Sequence, residues 1–588
     1  MSNFIVKKVA VLGAGVMGAQ IAAHLVNVKV PVVLFDLPAP EGPKNGIVTR
    51  AIEGLKKLKP APLGVPEDAD LIQAANYEEH LGLLRECDLV IEAIAERMDW
   101  KLDLYAKVAP HLGPRTLVAS NTSGLSITKL SQALPEAIRP RFCGIHFFNP
   151  PRYMTLVELI PTPATDAAML DDLETFVTTG LGKGVVRAKD SPNFIANRVG
   201  IAGMLATMVE ADRYGLTYDV VDDLTGKKLG RASSGTFRTA DVVGLDTLAH
   251  VIRTLQDNFS EATDPFYPSY ATPPVLKTLL EKGFLGQKAK AGFFRKAGRD
   301  ILRFDAKAGD YVPAGQKADE VYARMLKKPA AERLALLRKA EGPQGKFLWA
   351  ILRNGFHYAA LHLASIADTA RDVDLAMRWG FGMKQGPFEL WQEAGWKQVA
   401  QWIQEDIESG KALCKAPLPA WVFDGRDGVH RPEGSWSPKN KAYVPRSSLP
   451  VYQRQAFRAP LVGDTTPGGA AAGITVHEDE AVRIWHQGDD VLLLSFKTKM
   501  HVMGPDVIGG LERAVAEAEQ NYRALVIWQA DAAEGGPFSA GADLQAMLPM
   551  FMSGGVKAIE PFVARFQNAQ MRVKYANRSE ERRVGKEC

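Results

Sequence analysis

The stretch Val9 to Asp36, VAVLGAGVMGAQIAAHLVNVKVPVVLFD, constrains this chain more than any other. The apolar run Val9 to Leu12 reads as a buried strand. Gly13-Ala14-Gly15-Val16-Met17-Gly18 follows at once, Ala19 to Val26 has helical periodicity, and a second apolar run, Val32 to Phe35, ends on Asp36. Strand, glycine-rich turn, helix, strand and acid, in that order, make the βαβ dinucleotide fingerprint. Gly13 permits the tight turn, Gly15 lets a pyrophosphate approach the backbone, and Gly18 lets helix and strand pack closely. The phosphates sit at the helix N-terminus, where free N–H groups and the dipole favour negative charge. A carboxylate at Asp36 accepts both ribose hydroxyls. Leu37-Pro38 follows it rather than an arginine, so NAD is favoured over NADP.

With 588 residues the chain is too long for one core, and three or more domains are expected. A formal net charge of +4 is small for this length and argues against a nucleic-acid binder or a membrane-surface protein. Cys87, Cys143, Cys414 and Cys588 are scattered without metal-ligand spacing, which implies a reducing compartment, no disulfide framework and no metal site. No basic region followed by an apolar signal stretch opens the chain, and no run of eighteen apolar residues occurs. A cytoplasmic protein without a membrane span is the default expectation.

The fold class expected is α/β, in several parts. Residues 1–187 read as a Rossmann-type, doubly wound, largely parallel sheet with strands at Cys87–Ala93, Leu117–Ser120, Arg141–Pro150 and Leu156–Ile160. The polar clusters Glu92 to Glu96, Ser120 to Ser123 and His146 to Asn149 lie at or after apolar runs, where ligands bind in such sheets. From Asp190 the pattern turns helical. Gly235-Thr236-Phe237 and Gly386-Pro387-Phe388 each follow a long helix and a short one near Asp-Val (Asp219-Val220, Asp372-Val373). This predicts a duplicated all-α unit, 188–300 and 301–410. Residues 411–473, rich in Pro, Gly and Ser, read as a linker, and 474–577 as a further α/β module. The last stretch, Arg578 to Cys588, back-translates into a common sequencing-adapter read and is set aside as an artefact.

A dehydrogenase needs a base for the hydroxyl proton, and histidine suits that task near neutral pH. His146 sits on one predicted strand and Glu158 on the next, across a turn, so the carboxylate could orient the imidazole. From spacing alone the pair reads equally as a packed core histidine beside an unrelated glutamate. Trp349, Trp379, Trp391 and Trp396 read as core, Lys56-Lys57-Leu58-Lys59 as a solvated helix face, His24 as packed or half exposed, and Cys87 and Cys143 as inert.

Four motifs occur together and in order: Gly13 to Gly18, Ala119-Ser120-Asn121-Thr122-Ser123, His146-Phe147-Phe148-Asn149-Pro150, and Asn193-Phe194-Ile195-Ala196-Asn197-Arg198. On them, the first 400 or so residues resemble the L-3-hydroxyacyl-CoA dehydrogenase family of fatty-acid β-oxidation. The resemblance implies His146 as catalytic base, Glu158 as its partner, and Ser123 and Asn197 as hydrogen-bonders to the substrate oxygen. It implies a cofactor-binding set of Gly13, Gly15, Met17, Gly18, Asp36, Glu96, Lys101 and Asn149. Glu96 and Lys101 match positions near the nicotinamide ribose and the CoA-proximal side. An acyl-CoA thioester as substrate and a thiolase as partner follow, with no nucleic acid. The duplicated units could replace a dimer partner, so a monomer is expected, with a homodimer as the alternative. The chain departs from the family in a longer loop between Ser123 and His146. It also departs at Gly235-Thr236-Phe237-Arg238, where Gly-Pro-Phe and an acid are common.

Phe538-Ser539-Ala540-Gly541-Ala542-Asp543-Leu544 resembles the enoyl-CoA hydratase (crotonase) family, in which the backbone N–H matching Ala540 forms half of an oxyanion hole. The second donor and the catalytic glutamates have no match here. A partial crotonase-like module without hydratase activity is therefore expected. Two rival readings remain. One is another Rossmann hydroxy-acid dehydrogenase with a helical C-terminal domain, a class that typically uses a lysine base. The other is a catalytically silent NAD-binding protein.

Overall fold

The computed structural model describes residues 5–455, 460–463, 473–488, 490–529 and 537–577. The tail Arg578 to Cys588 lies outside them. The chain forms two compact units, one running to Val451 and including Leu461–Gly463, the other holding the rest.

The first unit opens with an eight-stranded sheet of β1 (Val9–Leu12), β2 (Val32–Asp36), β3 (Ile72–Asn76), β4 (Leu89–Glu92), β5 (Leu117–Ser120), β6 (Phe142–Phe147), β7 (Leu156–Pro161) and β8 (Gly184–Arg187), in the order β3-β2-β1-β4-β5-β6-β7-β8. Neighbours are parallel except that β7 runs antiparallel to β6. The order reverses between β1 and β4, which is the switch point where open α/β sheets bind ligands. The helices α1 (Val16–Asn27), α2 (Gly46–Leu55), α3 (Met98–Val108), α4 (Ile127–Ser131) and α5 (Ala167–Thr179) connect or flank the strands. β1 is fully buried, as its unbroken apolar run requires, and α1 buries Ile21, Ala22 and Leu25 against it. The reading missed β3 and β8 because Ile72-Gln73-Ala74-Ala75-Asn76 and Gly184-Val185-Val186-Arg187 carry short or interrupted apolar runs.

His24 on α1 is buried, with Nε2 3.1 Å from the Leu181 carbonyl and Nδ1 without a partner among the described residues. Burial, reinforced by the Lys183 ammonium, pushes its imidazole down to about 4. An unfolded chain takes up that proton near pH 6.5 and the folded one only near 4. The neutral ring's contribution is therefore complete above pH 6.5 and is lost as the pH falls toward 4, by up to about 3 kcal/mol. His24→Gln should flatten the fall in unfolding free energy across this window, as urea titrations at several pH values would read. An unchanged slope would remove His24 as its source.

The helical region begins with α6 (Ala196–Arg213), α7 (Tyr218–Thr225), α8 (Phe237–Val243) and α9 (Leu245–Asn258). After α10 (Pro274–Glu281) comes an antiparallel sheet of β9 (Phe294–Ala297), β10 (Asp300–Asp305) and β11 (Asp310–Pro313), then α11 (Glu320–Met325) and α12 (Ala330–Lys339). The first series then recurs as α13 (Pro343–Ile366), α14 (Ala370–Phe381), α15 (Pro387–Glu393) and α16 (Trp396–Glu408). Both copies use one local device. Asp222 accepts the backbone N–H groups of Thr236, Phe237 and Arg238, and Asp374 accepts those of Phe388 and Glu389. In each copy the glycine opening the motif is forced. A Cβ on Gly235 would lie 2.6 Å from Asp222 Cα, and one on Gly386 2.3 Å from Asp374 Cα. Thr236, where the second copy has Pro387, supplies an N–H to the aspartate that proline lacks, so the departure is accommodated.

Two expected boundaries are corrected. The division at 300/301 falls on β10, inside the three-stranded sheet. Residues 411–473 are not simply a linker: β12 (His430–Arg431), β13 (Gly434–Ser437) and β14 (Ala442–Val444) form an antiparallel sheet packed into the second helical copy. Gln392 Oε1 accepts the N–H groups of Val429 and His430, Trp396 donates to the Val422 carbonyl, and the Arg426 guanidinium lies 3.3 Å from the Trp436 ring centroid. Composition concealed this order because a few tryptophans anchor a segment otherwise full of turn residues. Ser435, His430 and Asp374 line up like a hydrolase triad, with spacings of 2.9 and 2.6 Å, but Ser435 is 2% exposed and no substrate reaches it.

The units part at α17 (Pro450–Gln453). In the second, β15 (Ile474–Glu478), β16 (Val482–His486), β17 (Val491–Phe496) and β18 (Ala524–Ile527) form a sheet in that order, antiparallel until β18 joins β17 in parallel. α18 (Pro505–Asn521) is the crossover, and α19 (Leu544–Lys574) breaks at Gly555. Among the described residues no helix is long and apolar enough to cross a membrane.

Candidate active site

The antiparallel register of β6 and β7 sets His146 directly opposite Glu158. Their side chains meet, Nδ1 to Oε2, at 2.7 Å, both buried. Glu158 Oε1 accepts the backbone N–H groups of Ile195 (3.1 Å) and Ala196 (2.8 Å) at the start of α6. With the carboxylate acting only as acceptor, Nδ1 carries the proton and Nε2 is the basic nitrogen. Nε2 has no hydrogen-bond partner among the described residues. The imidazole is held between Phe148 and Phe194, with ring centroids 4.5 and 5.5 Å away. The carboxylate and the imidazole are therefore hydrogen-bonded partners.

Asn197 occupies the first turn of α6, so the carboxylate that orients His146 also anchors the helix end that presents Asn197. Ser123 lies in the loop after β5. Glu96 Oε1 holds that loop, accepting the Thr122 hydroxyl and the N–H groups of Ser123 (2.9 Å) and Gly124 (3.0 Å). The loop presses on the segment before α6, since a Cβ on Gly124 would lie 2.9 Å from Asn193 Oδ1. The Ser123 hydroxyl and the Asn197 amide make no hydrogen bond among the described residues, and both residues are half-buried. Polar groups left unpaired in a half-buried setting are suited to meeting a ligand.

At the other side of the switch point, α1 begins without a side-chain cap, and its first N–H groups have no intrahelical partner. Gly15 and Val16 are exposed and Met17 is half-buried. Asp36, at the end of β2, accepts the Ala14 N–H with Oδ2 and the Leu37 N–H with Oδ1, both at 2.7 Å, which fixes the carboxylate beside the turn. A Cβ on Gly18 would lie 1.8 Å from the Gly13 carbonyl oxygen, whereas one on Gly15 would meet no protein atom within 4 Å. The residues present therefore fit a dinucleotide pyrophosphate: tight packing beneath, open space and free donors above. Gly15→Ala should leave the melting temperature unchanged and raise the KM for NAD by about tenfold or more. Gly18→Ala should cost about 1–3 kcal/mol of stability, the range of overpacking. Thermal melts and KM measurements on both variants check this, and equal effects on stability would contradict it.

Asn149 accepts a hydrogen bond from Gln20 Nε2 at 3.2 Å, linking the segment after β6 to α1. Lys101 is fully buried on α3, and its ammonium lies 2.5 Å from Glu92 Oε1 and 3.8 Å from Glu96 Oε2. Glu92 also accepts the hydroxyls of Tyr105 and Ser120 and the N–H of Ile94. Lys101 thus braces Glu96 from beneath, and no part of it is exposed to a ligand. Sequence reasoning missed Glu92, Tyr105 and Ser120 as members of this network. Glu92 was visible as the only charged residue closing the apolar run Leu89-Val90-Ile91. In the second unit, the Ala540 N–H donates to the Met500 carbonyl at 3.0 Å, and Asp543 caps α19.

Two family models match the chain: the 3-hydroxyacyl-CoA dehydrogenase NAD binding domain over residues 8–191 and the 3-hydroxyacyl-CoA dehydrogenase C-terminal domain over residues 194–296. A Bacillus subtilis protein described as "Probable 3-hydroxyacyl-CoA dehydrogenase" is 34% identical, the match covering 97% of this chain and 72% of the relative. A Rickettsia felis protein described as "Putative fatty acid oxidation complex trifunctional enzyme" is 31% identical over 97% of this chain and 73% of the relative. The crystal structure of 3-hydroxybutyryl-CoA dehydrogenase from Escherichia coli K12 shares the fold, with a TM-score of 0.53 and 23% identity over 71% of this chain and 98% of that one.

Proposed function

The chain belongs to the 3-hydroxyacyl-CoA dehydrogenase family and oxidises 3-hydroxyacyl-CoA with NAD, and from that premise we propose how its residues divide the work. The observation that carries the proposal is the single carboxylate, Glu158, that holds His146 by one oxygen and the start of α6 by the other. His146 Nε2 takes the proton from the C3 hydroxyl of an (S)-3-hydroxyacyl-CoA. Glu158 keeps the proton on Nδ1 and supports the imidazolium that forms. Ser123 and Asn197 hold the reacting oxygen in line. Gly13 to Gly18 and Asp36 bind the pyrophosphate and the adenosine ribose. Glu96, with Oε1 clamping the Ser123 loop and Oε2 3.8 Å from the Lys101 ammonium, is assigned to the nicotinamide side. NAD, when bound, supplies the acceptor for the C3 hydride. Lys101 is a positioning residue that acts through Glu92 and Glu96.

The second unit is proposed to be a crotonase-like module that does not hydrate enoyl-CoA. The oxyanion donor that the resemblance implies, the Ala540 N–H, is engaged by the Met500 carbonyl. The chain is proposed to act as a monomer, because α6 and α13 of the duplicated halves already cover one another; sedimentation as a stable dimer would overturn this. The test of function is NADH absorbance with NAD and (S)-3-hydroxybutyryl-CoA, a longer homologue, and crotonyl-CoA in separate cuvettes. NADH is expected from the hydroxyacyl thioesters and none from crotonyl-CoA. NADH from crotonyl-CoA would overturn the reading of the second unit. Binding of NAD with no turnover of any thioester would overturn the assignment of the base.

A further inference from the structure

Between the duplicated helical halves lies a cavity of about 290 Å³, near the lower end of the range for small-molecule sites. Its walls are α6, α13 and the two corresponding loops that follow α7 and α14, which grip each other: the Lys384 N–H donates to the Gly230 carbonyl at 2.8 Å. Neither His146, Glu158, Ser123 nor Asn197 lines it.

Its charge is one-sided. Lys227, Lys228, Arg231, Arg333 and Lys384 line it, and no aspartate or glutamate does. Lys228 pairs with Asp223 outside the lining. Among the described residues Lys227, Arg231 and Lys384 make no ion pair and no side-chain hydrogen bond, and Arg333 donates from Nη1 to the Leu326 carbonyl at 3.3 Å while its buried Nε has no partner. Burial without a compensating carboxylate lowers the Arg231 guanidinium to about 10. A half-buried guanidinium with nothing to bind is costly unless something anionic meets it. Lys227 and Lys384, also in the lining, are exposed. The remaining wall is mixed: Met204, Ile351, Phe356 and Leu390 form an apolar part, and Thr207, Thr225, Thr236, Thr239 and Gln385 supply polar groups.

Its emptiness is also written into the helices. Gly203 lies within α6 and Gly355 within α13, both lining the cavity, and a Cβ on either would meet no protein atom within 4 Å. They are equivalent residues of the duplication, separated by the same interval as Asp222 from Asp374 and Gly230 from Gly382. A glycine inside a helix costs about 1 kcal/mol relative to alanine. No neighbouring protein atom requires either one, yet both halves place one here. Side chains at these positions would project into the cavity.

We propose that this cavity is a second ligand site, separate from the catalytic one, for an amphipathic anion: an acyl chain in the apolar part with a carboxylate or phosphate head on Arg231 and Arg333. A free fatty acid and an acyl-CoA share this chemistry, the latter leaving its phosphates at Lys227 and Lys384.

Titration calorimetry on the full chain, with NAD and acetoacetyl-CoA saturating the catalytic site, tests it using laurate, lauroyl-CoA and inorganic phosphate as separate probes. One equivalent of laurate or lauroyl-CoA is expected to bind, far more tightly than phosphate. Binding of laurate alone identifies a fatty-acid site, and binding of lauroyl-CoA alone an acyl-CoA site. Arg231→Met should weaken binding by about tenfold or more through loss of a charge-assisted contact. Gly203→Leu should abolish it by filling the space. Both variants should still oxidise 3-hydroxybutyryl-CoA, which separates failure here from failure of the catalytic reading. No binding of either acyl probe, or binding indifferent to both substitutions, overturns the proposal.

Discussion

His146→Gln is expected to lower kcat by about 10²–10⁴-fold, the range supplied by general acid–base catalysis, with the Kd for NAD nearly unchanged. The glutamine amide can donate to Glu158 Oε2 as Nδ1–H does and can fill the slot between Phe148 and Phe194, so packing survives. What it lacks is a basic nitrogen. In the proposed division of work NAD is held by the turn after β1, on separate residues, which is why the two readouts should part. Glu158→Gln makes the complementary test. Its amide nitrogen can donate to His146 Nδ1, which forces the proton onto Nε2 and removes the base while leaving a hydrogen bond in place. A loss of about 10² or more in kcat is expected from the wrong tautomer alone. Near-normal turnover of His146→Gln would remove it as the base. A normal Glu158→Gln would reduce the carboxylate to a clamp on α6.

These positions differ in how far the chain announced them. The glycine turn and Asp36 were legible because each role is local: φ near +106° at Gly13, a carbonyl 1.8 Å from the Cβ that Gly18 lacks, and an acid at a strand end. His146 and Glu158 were legible as residues on consecutive strands, but which faced which depended on register, and the antiparallel pairing of β6 with β7 settles that. The second use of Glu158, to cap the start of α6, joins residues far apart in sequence, and no spacing rule reaches it. The resemblance puts Lys101 among the cofactor-binding residues; the tertiary fold buries it on Glu92. The 411–473 segment misled for the opposite reason. Turn-forming composition is a statement about local backbone, whereas Trp421 and Trp436 tie that backbone to α15 and α16 through ring contacts that composition does not count.

The largest stability effect should come from Lys101→Met. Lys101 and Glu92 form an ion pair whose side chains are 1% and 0% exposed, and breaking a buried pair from one side costs about 3–5 kcal/mol because the other charge is left unmatched. The carboxylate keeps the hydroxyls of Tyr105 and Ser120 and one backbone N–H, so part of its charge stays solvated by dipoles, which favours the lower end of that range. The double variant Glu92→Gln with Lys101→Met carries neither charge and should recover most of the loss, since two neutral groups of similar volume need no Coulomb partner. Urea unfolding of the wild type, both single variants and the double gives the coupling directly. Equal losses for Lys101→Met and the double would mean that shape, not charge, is what the lysine contributes. The catalytic consequence follows by a second route. Lys101 also stands 3.8 Å from Glu96, whose other oxygen holds the Ser123 loop by two backbone N–H groups and a hydroxyl. A loosened Glu96 should therefore lower kcat/KM for the hydroxyacyl thioester in Lys101→Met beyond what the folded fraction accounts for. Restoring stability in the double variant should not restore that activity, because the cation beneath Glu96 is still missing.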